Sequence, residues 1–195
     1  MSSGPSGSPS ARTAPTTLRT APVGCRGSER IGLIPDRTKT NDARVRLRPV
    51  EDGDLRVLFE HQRDAEASEL AAVASRDWGA FAAHWARIRS DPAVVLRTVT
   101  LDGLVVGNVL SFVRDGRREV GYWIGREHWG KGIASRALGL LVEELEERPL
   151  HAVVAAHNPA SLRVLEKAGF RVLERRVGEP GPAGEPVEEL VLELR

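Results

Sequence analysis

The chain has almost no sulfur chemistry to offer. Its 195 residues include one cysteine, Cys25, so no internal disulfide can form and a reducing, cytoplasmic setting is expected. Net charge is just as scarce, since 28 Lys and Arg face 27 Asp and Glu to leave +1. That balance calls for neither nucleic acid nor an anionic membrane as partner. No apolar run approaches the roughly 20 residues of a membrane span. What is present, 41% hydrophobic residues in a chain of this length, suits one globular domain with a real core, plus a tail.

Acidic residues are missing locally too. None precedes Glu29, and residues 1–42 are rich in Ser, Pro, Thr and Gly, with five prolines by Pro35 and no hydrophobic period. Such a segment buries too little apolar surface to offset its ordering entropy. A targeting peptide would share the acid-poor composition but would show an amphipathic face. Residues 1–42 are therefore expected to be a disordered tail, and 43–195 the domain.

From Val45 the periodicity is clear. "VRLRPV" alternates like a strand, and Asp52 is placed to cap a helix carrying Leu55, Leu58 and Phe59 on one face. A second helix is expected through Trp78, Phe81, Trp85 and Ile88, ending before Pro92, with these side chains in the core. Three strand-like runs follow, "VVLRTVTL", "LVVGNVLSFVR" and "REVGYWI", joined by the hairpin dipeptides Asp102-Gly103 and Asp115-Gly116. Ile133, Ala137, Leu141 and Leu145 then step along a helix, "HAVVAAH" reads as a short buried strand, and Asn158 caps a helix that ends at Gly169. "FRVLERRV" and "VEELVLEL" read as a last hairpin. The order β-α-α-β-β-β-α-β-α-β-β predicts an α/β (α+β) domain, a mixed and mostly antiparallel sheet with helices on both faces.

"GREHWGKG" joins a strand to a helix. Gly125, Gly130 and Lys131 fit a P-loop, but Gly132 lacks the hydroxyl that would bind magnesium, and no acidic residue ends the next strand. A dinucleotide fingerprint fails as well, because Gly130-Lys131-Gly132 is followed by Ile-Ala-Ser. The loop still places glycines at a helix N-terminus, where the amides of Gly130 to Ala134 can face an anion; a plain connecting turn is the alternative.

"YWIGREHWGKGIASRALGLLVEEL" with "HNPASLRVLEKAGFRVLE" resembles the GNAT superfamily of acyl-CoA-dependent N-acetyltransferases. The resemblance covers roughly residues 45–195 and is greatest to the branch of ribosomal-protein-alanine N-acetyltransferases. The family's phosphate motif, Q/R-x-x-G-x-G/A, falls on residues 127–132, with Glu127 departing from it and expected to turn its side chain away. The resemblance implies acetyl-CoA as co-substrate, held by Trp123, Ile124, Trp129, Gly130, Lys131, Gly132, Ile133, Ala134, Asn158 and Ser161, in a cleft between "REVGYWI" and "HAVVAAH". Lys131, Arg136 and Arg163 are candidate partners of the nucleotide phosphates.

The amine acceptor must lose a proton to attack a thioester. The resemblance puts Glu119 at the general-base position; an edge-strand ion pair with Arg117 or Arg118 is the alternative. It also puts Leu165 where many members carry the Tyr that protonates the thiolate, leaving Ser161 or water for that role. Main-chain amides at Trp123 or Ile124 would polarise the carbonyl. No metal is expected, since His151 and His157 lack a third ligand in the sequence; His128 is read as an exposed loop residue, and His61 and His84 as helical residues that could approach the acceptor end without a catalytic role being expected of either. The expected partners are a small-molecule amine or a protein N-terminus, without nucleic acid or membrane, in a monomer or homodimer.

Overall fold

The computed structural model describes residues 45–195. The expected tail of residues 1–42 and Cys25 lie outside the described residues.

The described residues form a seven-stranded sheet in the order β1-β2-β3-β4-β5-β7-β6. β1 (Val45–Pro49), β2 (Val95–Leu101), β3 (Leu104–Arg114) and β4 (Arg117–Ile124) pair antiparallel in succession. β5 (Leu150–Ala155) joins β4 in parallel. Beyond it, β7 (Pro186–Leu194) and β6 (Arg171–Pro180) are antiparallel again. The mixed, mostly antiparallel sheet expected from the sequence is what forms. Both Asp-Gly hairpins turn with positive φ at each residue, 52° and 85° at Asp102-Gly103 and 50° and 73° at Asp115-Gly116. That backbone matches the right-handed twist of the strands it joins.

Strand alternation sends two sets of side chains to opposite faces. Val120, Tyr122 and Ile124 pack with Ile133, Ala137, Leu138 and Leu141 of α4 (Ile133–Glu144) and with Val164 and Leu165 of α5 (Pro159–Lys167). On the other face Leu96, Leu110 and Phe112 meet Leu58 and Phe59 of α1 (Asp54–Gln62) and Phe81, Trp85 and Ile88 of α3 (Trp78–Ser90). The helical spacing of the aromatics is thus a core face, except that Trp78 is 41% exposed. None of the helices among the described residues is long and apolar enough to cross a membrane.

Two expectations need correction. A third helix, α2 (Ala65–Ala71), occupies the segment expected to link the first two. Asp64 caps it by accepting from the Ala67 amide, but at seven residues it is too short to display a helical period in sequence. Asp52 does not cap α1 either: Gly53 is the N-cap, with no side-chain bond.

The ordering group there is Asp54, only 4% exposed. Its carboxylate accepts from Arg48 Nη1 and Nη2 at 2.6 and 2.7 Å, from Thr98 Oγ1 at 2.7 Å and from the Glu51 amide at 2.9 Å. These bonds tie β1, β2 and α1 together. Burial pushes the Asp54 carboxyl up, but the hydrogen bonds outweigh it and hold the group below the ordinary carboxylate range. A depressed folded pKa adds stability that is present above the unfolded value and lost as pH falls through the folded one. Asp54→Ala is expected to cost about 2 to 3 kcal/mol in urea unfolding at neutral pH, and the gap from wild type should narrow in acid.

Candidate active site

The sheet opens at its one parallel joint. β4 and β5 pair at Arg118↔Leu150 and Glu119↔His151, and their ladder does not continue through Val120–Ile124. β4 stays paired with β3 throughout, in unbroken register from Arg117 to Ile124. The Gly125 amide donates to the Val106 carbonyl at 2.9 Å, which sets the alternation. The amides of Trp123 and Gly121 then turn toward β3, and those of Ile124, Tyr122 and Val120 toward the gap. Of the two amides expected to polarise a carbonyl, Ile124 faces the gap and Trp123 does not. The Tyr122 amide, which the sequence reading did not name, faces the gap as well.

The open end of the gap leads into the glycine loop. Gly130 and Gly132 have φ of 73° and 76°, the left-handed region that glycine enters without cost. Gly132 is the N-cap of α4 and, having no side chain, gives the first amides of the helix no side-chain cap. Trp129 closes one side of the loop, its indole N–H donating to the Ile124 carbonyl at 2.8 Å. Lys131 Nζ donates to the Glu127 carbonyl at 2.8 Å, which folds the lysine back over the turn. Arg136 lies in the first turn of α4, and Arg163 is exposed on α5.

Glu127 turns away from the loop, toward α1. Its Oε1 lies 3.3 Å from His61 Nε2 and 3.4 Å from His128 Nε2. Burial holds the His61 ring below the usual histidine pKa, so the ring is neutral and can donate to the carboxylate. His61, Glu127 and His128 are the one set of three potential metal ligands among the described residues, with donor atoms within 4.8 Å of one another. Two imidazole N–H donors and a carboxylate also satisfy this arrangement without an ion. His128 is half-buried rather than exposed, and His157, beyond the end of β5, hydrogen-bonds the Glu69 carbonyl at 3.2 Å.

The closed end of the gap holds Glu119. It lies on a central strand, not an edge, and its ion partner is Arg114, with Nη1 3.7 Å from Oε2. Arg118 pairs with Glu147 instead. Burial raises the Glu119 carboxyl above the ordinary range, against the opposing pull of Arg114, Arg176 and His151. His151 sits opposite it on β5, with Nε2 3.4 Å from the Glu193 carboxylate.

Ser161 and Asn158 lie across the gap, at the start of α5. Asn158 caps the helix, accepting from the Ser161 amide at 3.0 Å. Ser161 is fully buried, and its hydroxyl is 2.6 Å from that of Tyr122, the chain's single tyrosine. Leu165, one turn further on, is core. Alternation along β4 could have placed Tyr122 on the α5 side, but nothing local announces its hydroxyl partner 39 residues away.

Residues 44–171 match the family described as Acetyltransferase (GNAT) domain. The chain belongs to the GNAT acetyltransferase family. The uncharacterized N-acetyltransferase p20 of Bacillus licheniformis is 38% identical over 61 residues, 29% of this chain and 34% of that protein. The probable N-acetyltransferase YjcK of Bacillus subtilis strain 168 is 44% identical over 55 residues, 26% of this chain and 30% of that protein. The chain thus spans about a third of the curated relatives it matches. Among solved structures, spermidine N-acetyltransferase from Vibrio cholerae, in complex with CoA and spermine, superposes with a TM-score of 0.69 at 19% identity. That superposition covers 78% of this chain and 95% of the other, and it shows the shared fold.

The positive φ at Gly132 gives a contrast within one helix. Gly132→Ala is expected to cost about 1 to 2 kcal/mol by forcing a Cβ into the left-handed region. Gly139→Ala, in the middle of the same helix with nothing within 4 Å of the added Cβ, should instead gain up to about 1 kcal/mol. Thermal unfolding of the two variants measures both signs.

Proposed function

We propose that the protein is an N-acetyltransferase that moves the acetyl group of acetyl-CoA to a primary amine by direct attack in a ternary complex. The observation that carries this reading is the gap between β4 and β5, which runs from a helix N-terminus approached by glycines to a buried carboxylate. The amides of Gly130 to Ala134 would take the diphosphate, with Lys131 adding positive charge beside Trp129 and Ile133. The pantetheine arm would lie along β4 and pair with the amides that turn from β3. Asn158 and Ser161 would line the opposite wall.

Acetyl-CoA would supply the thioester, and the chain's own groups would move the protons. Glu119, with its pKa raised by burial, accepts the proton of the acceptor ammonium, directly or through water. The Ile124 and Tyr122 amides polarise the thioester carbonyl. The paired hydroxyls of Ser161 and Tyr122 are the proton source for the leaving thiolate. Direct transfer is preferred over an acetyl-cysteine intermediate because the single thiol, Cys25, falls in the segment read from the sequence as a tail. The ribosomal-protein-alanine branch, with a protein N-terminus as acceptor, rests on the sequence motifs alone. A non-catalytic acyl-CoA-binding module would have no use for a buried carboxylate at the end of the gap.

Acetyl-CoA at a hundred times its dissociation constant should stabilise the protein by about 2.7 kcal/mol, read as a thermal shift. ATP with magnesium should give much less; the reverse order would restore the P-loop reading. Because Glu119 must be ionised to act, the rate should rise with pH through its raised pKa. Glu119→Gln should remove that limb and lower acetyl transfer by roughly 100- to 10,000-fold, measured by thiol release. An unaltered pH–rate profile in the variant would rule Glu119 out as the base.

A further inference from the structure

A cavity of about 270 Å³ lies on the α3 face of the sheet beside Glu119. It is lined by His84 and Arg87 of α3, by Asp91 just after it, and by Leu110, Phe112 and Arg114 of β3. Phe112 is the register partner of Glu119, and Arg114 is the residue whose Nη1 faces the Glu119 carboxylate. The cavity is therefore one strand away from the expected base. Its volume suits one substituent of a ligand rather than a whole cofactor.

Its polar groups have a definite sense. His84 is 8% exposed, and its Nδ1 lies 3.1 Å from Arg87 Nη2. A guanidinium only donates, so Nδ1 is the acceptor and the ring proton sits on Nε2. His84 Nε2 is buried and has no hydrogen-bond partner among the described residues. Arg114 Nη2 is also buried without a hydrogen-bond partner among the described residues. Both orphans are donors, on residues that line the same cavity. Leaving a buried donor unmet costs free energy that a ligand acceptor would restore.

The surrounding charge selects the acceptor. Burial, Arg76 and Arg87 together hold the His84 ring at a pKa of about 4, so it stays a neutral donor at neutral pH, among cations. Asp91 is the one acidic residue lining the cavity, and its Oδ1 is already engaged by the Ala93 amide at 2.9 Å. Two donors in a cationic, partly apolar cavity match two oxygens of one negative charge.

We infer that this cavity binds a carboxylate of the acceptor, so that the substrate is an amine carrying a carboxylate at the far end of a short chain. The inference rests on Glu119 marking the position of the reacting amine. The carboxylate meets His84 Nε2–H and Arg114 Nη2–H, the methylenes pass over Phe112, and the amine reaches Glu119. A polycationic amine would instead bring positive charge to Arg87 and Arg114.

Two measurements test this on the full-length protein. The first titrates butyrate, then butyramide, into the protein without CoA and follows the His84 ring signals by NMR. Butyrate should shift them saturably and butyramide should not; unmoved signals with butyrate would mean a water-filled cavity and would overturn the inference. The second compares ω-amino carboxylates, from glycine to 6-aminohexanoate, with their amides in a thiol-release assay with acetyl-CoA. At the best chain length the acid should exceed its amide by roughly 10- to 100-fold in kcat/KM. His84→Leu should erase that ratio, and His84→Gln, which keeps a donor, should preserve much of it. Amides used as well as acids at every length would overturn the inference. If no amine releases thiol at all, the proposed transferase activity fails, and the butyrate titration still decides what the cavity binds.

Discussion

The site depends on one interruption in a hydrogen-bonded ladder. β4 is held in full register by β3 on one side and by only two residue pairs with β5 on the other. β5 is in turn held along its whole length by β7. The gap is thus framed by two strands that are each fixed from behind, and it does not require strained backbone to stay open. Past Glu119, every second residue of β4 directs its amide and carbonyl into that gap. Such groups are costly unless matched, and Trp129 already matches one of them at the Ile124 carbonyl.

The same interruption sorts the chemistry by face. Glu119 belongs to the side covered by α1 and α3, whereas Tyr122 reaches Ser161 on the side covered by α4 and α5. In the proposed reaction the group that removes a proton and the group that returns one stand on opposite sides of the thioester. An amine can then approach over the α1–α3 face while the CoA arm occupies the strand gap. The buried polar groups around Arg114 and His84 lie on the amine's side, where selectivity would be exercised.

Charge placement in the loop follows the same economy. Glu127 departs from the family's phosphate motif and would oppose a diphosphate if it pointed into the loop. Engaging His61 and His128 removes that conflict and pins the turn to the end of α1. Gly125 allows it, since a Cβ there would lie 2.6 Å from the His61 ring. The departure becomes a contact between the glycine loop and the end of α1.

Sequence by itself determined the strands, the two Asp-Gly hairpins, the Asn158 cap, the glycine turn into α4 and the core faces of α3 and α4. Each of these is written in local chemistry: residues of the right type at period 2 or 3.6, or at a turn position that only certain side chains tolerate. The family resemblance pointed to Glu119, and the sequence offered Arg117 and Arg118 as its partners because they are its chain neighbours. Tertiary structure decided that the partner is Arg114 across a hairpin, that Asp54 rather than Asp52 organises α1, and that Ser161 meets Tyr122. It also decided that His84 and Arg114 share one cavity. These pairings join residues far apart in the chain through strand register and helix docking, and no local periodicity encodes how two distant side chains will face each other.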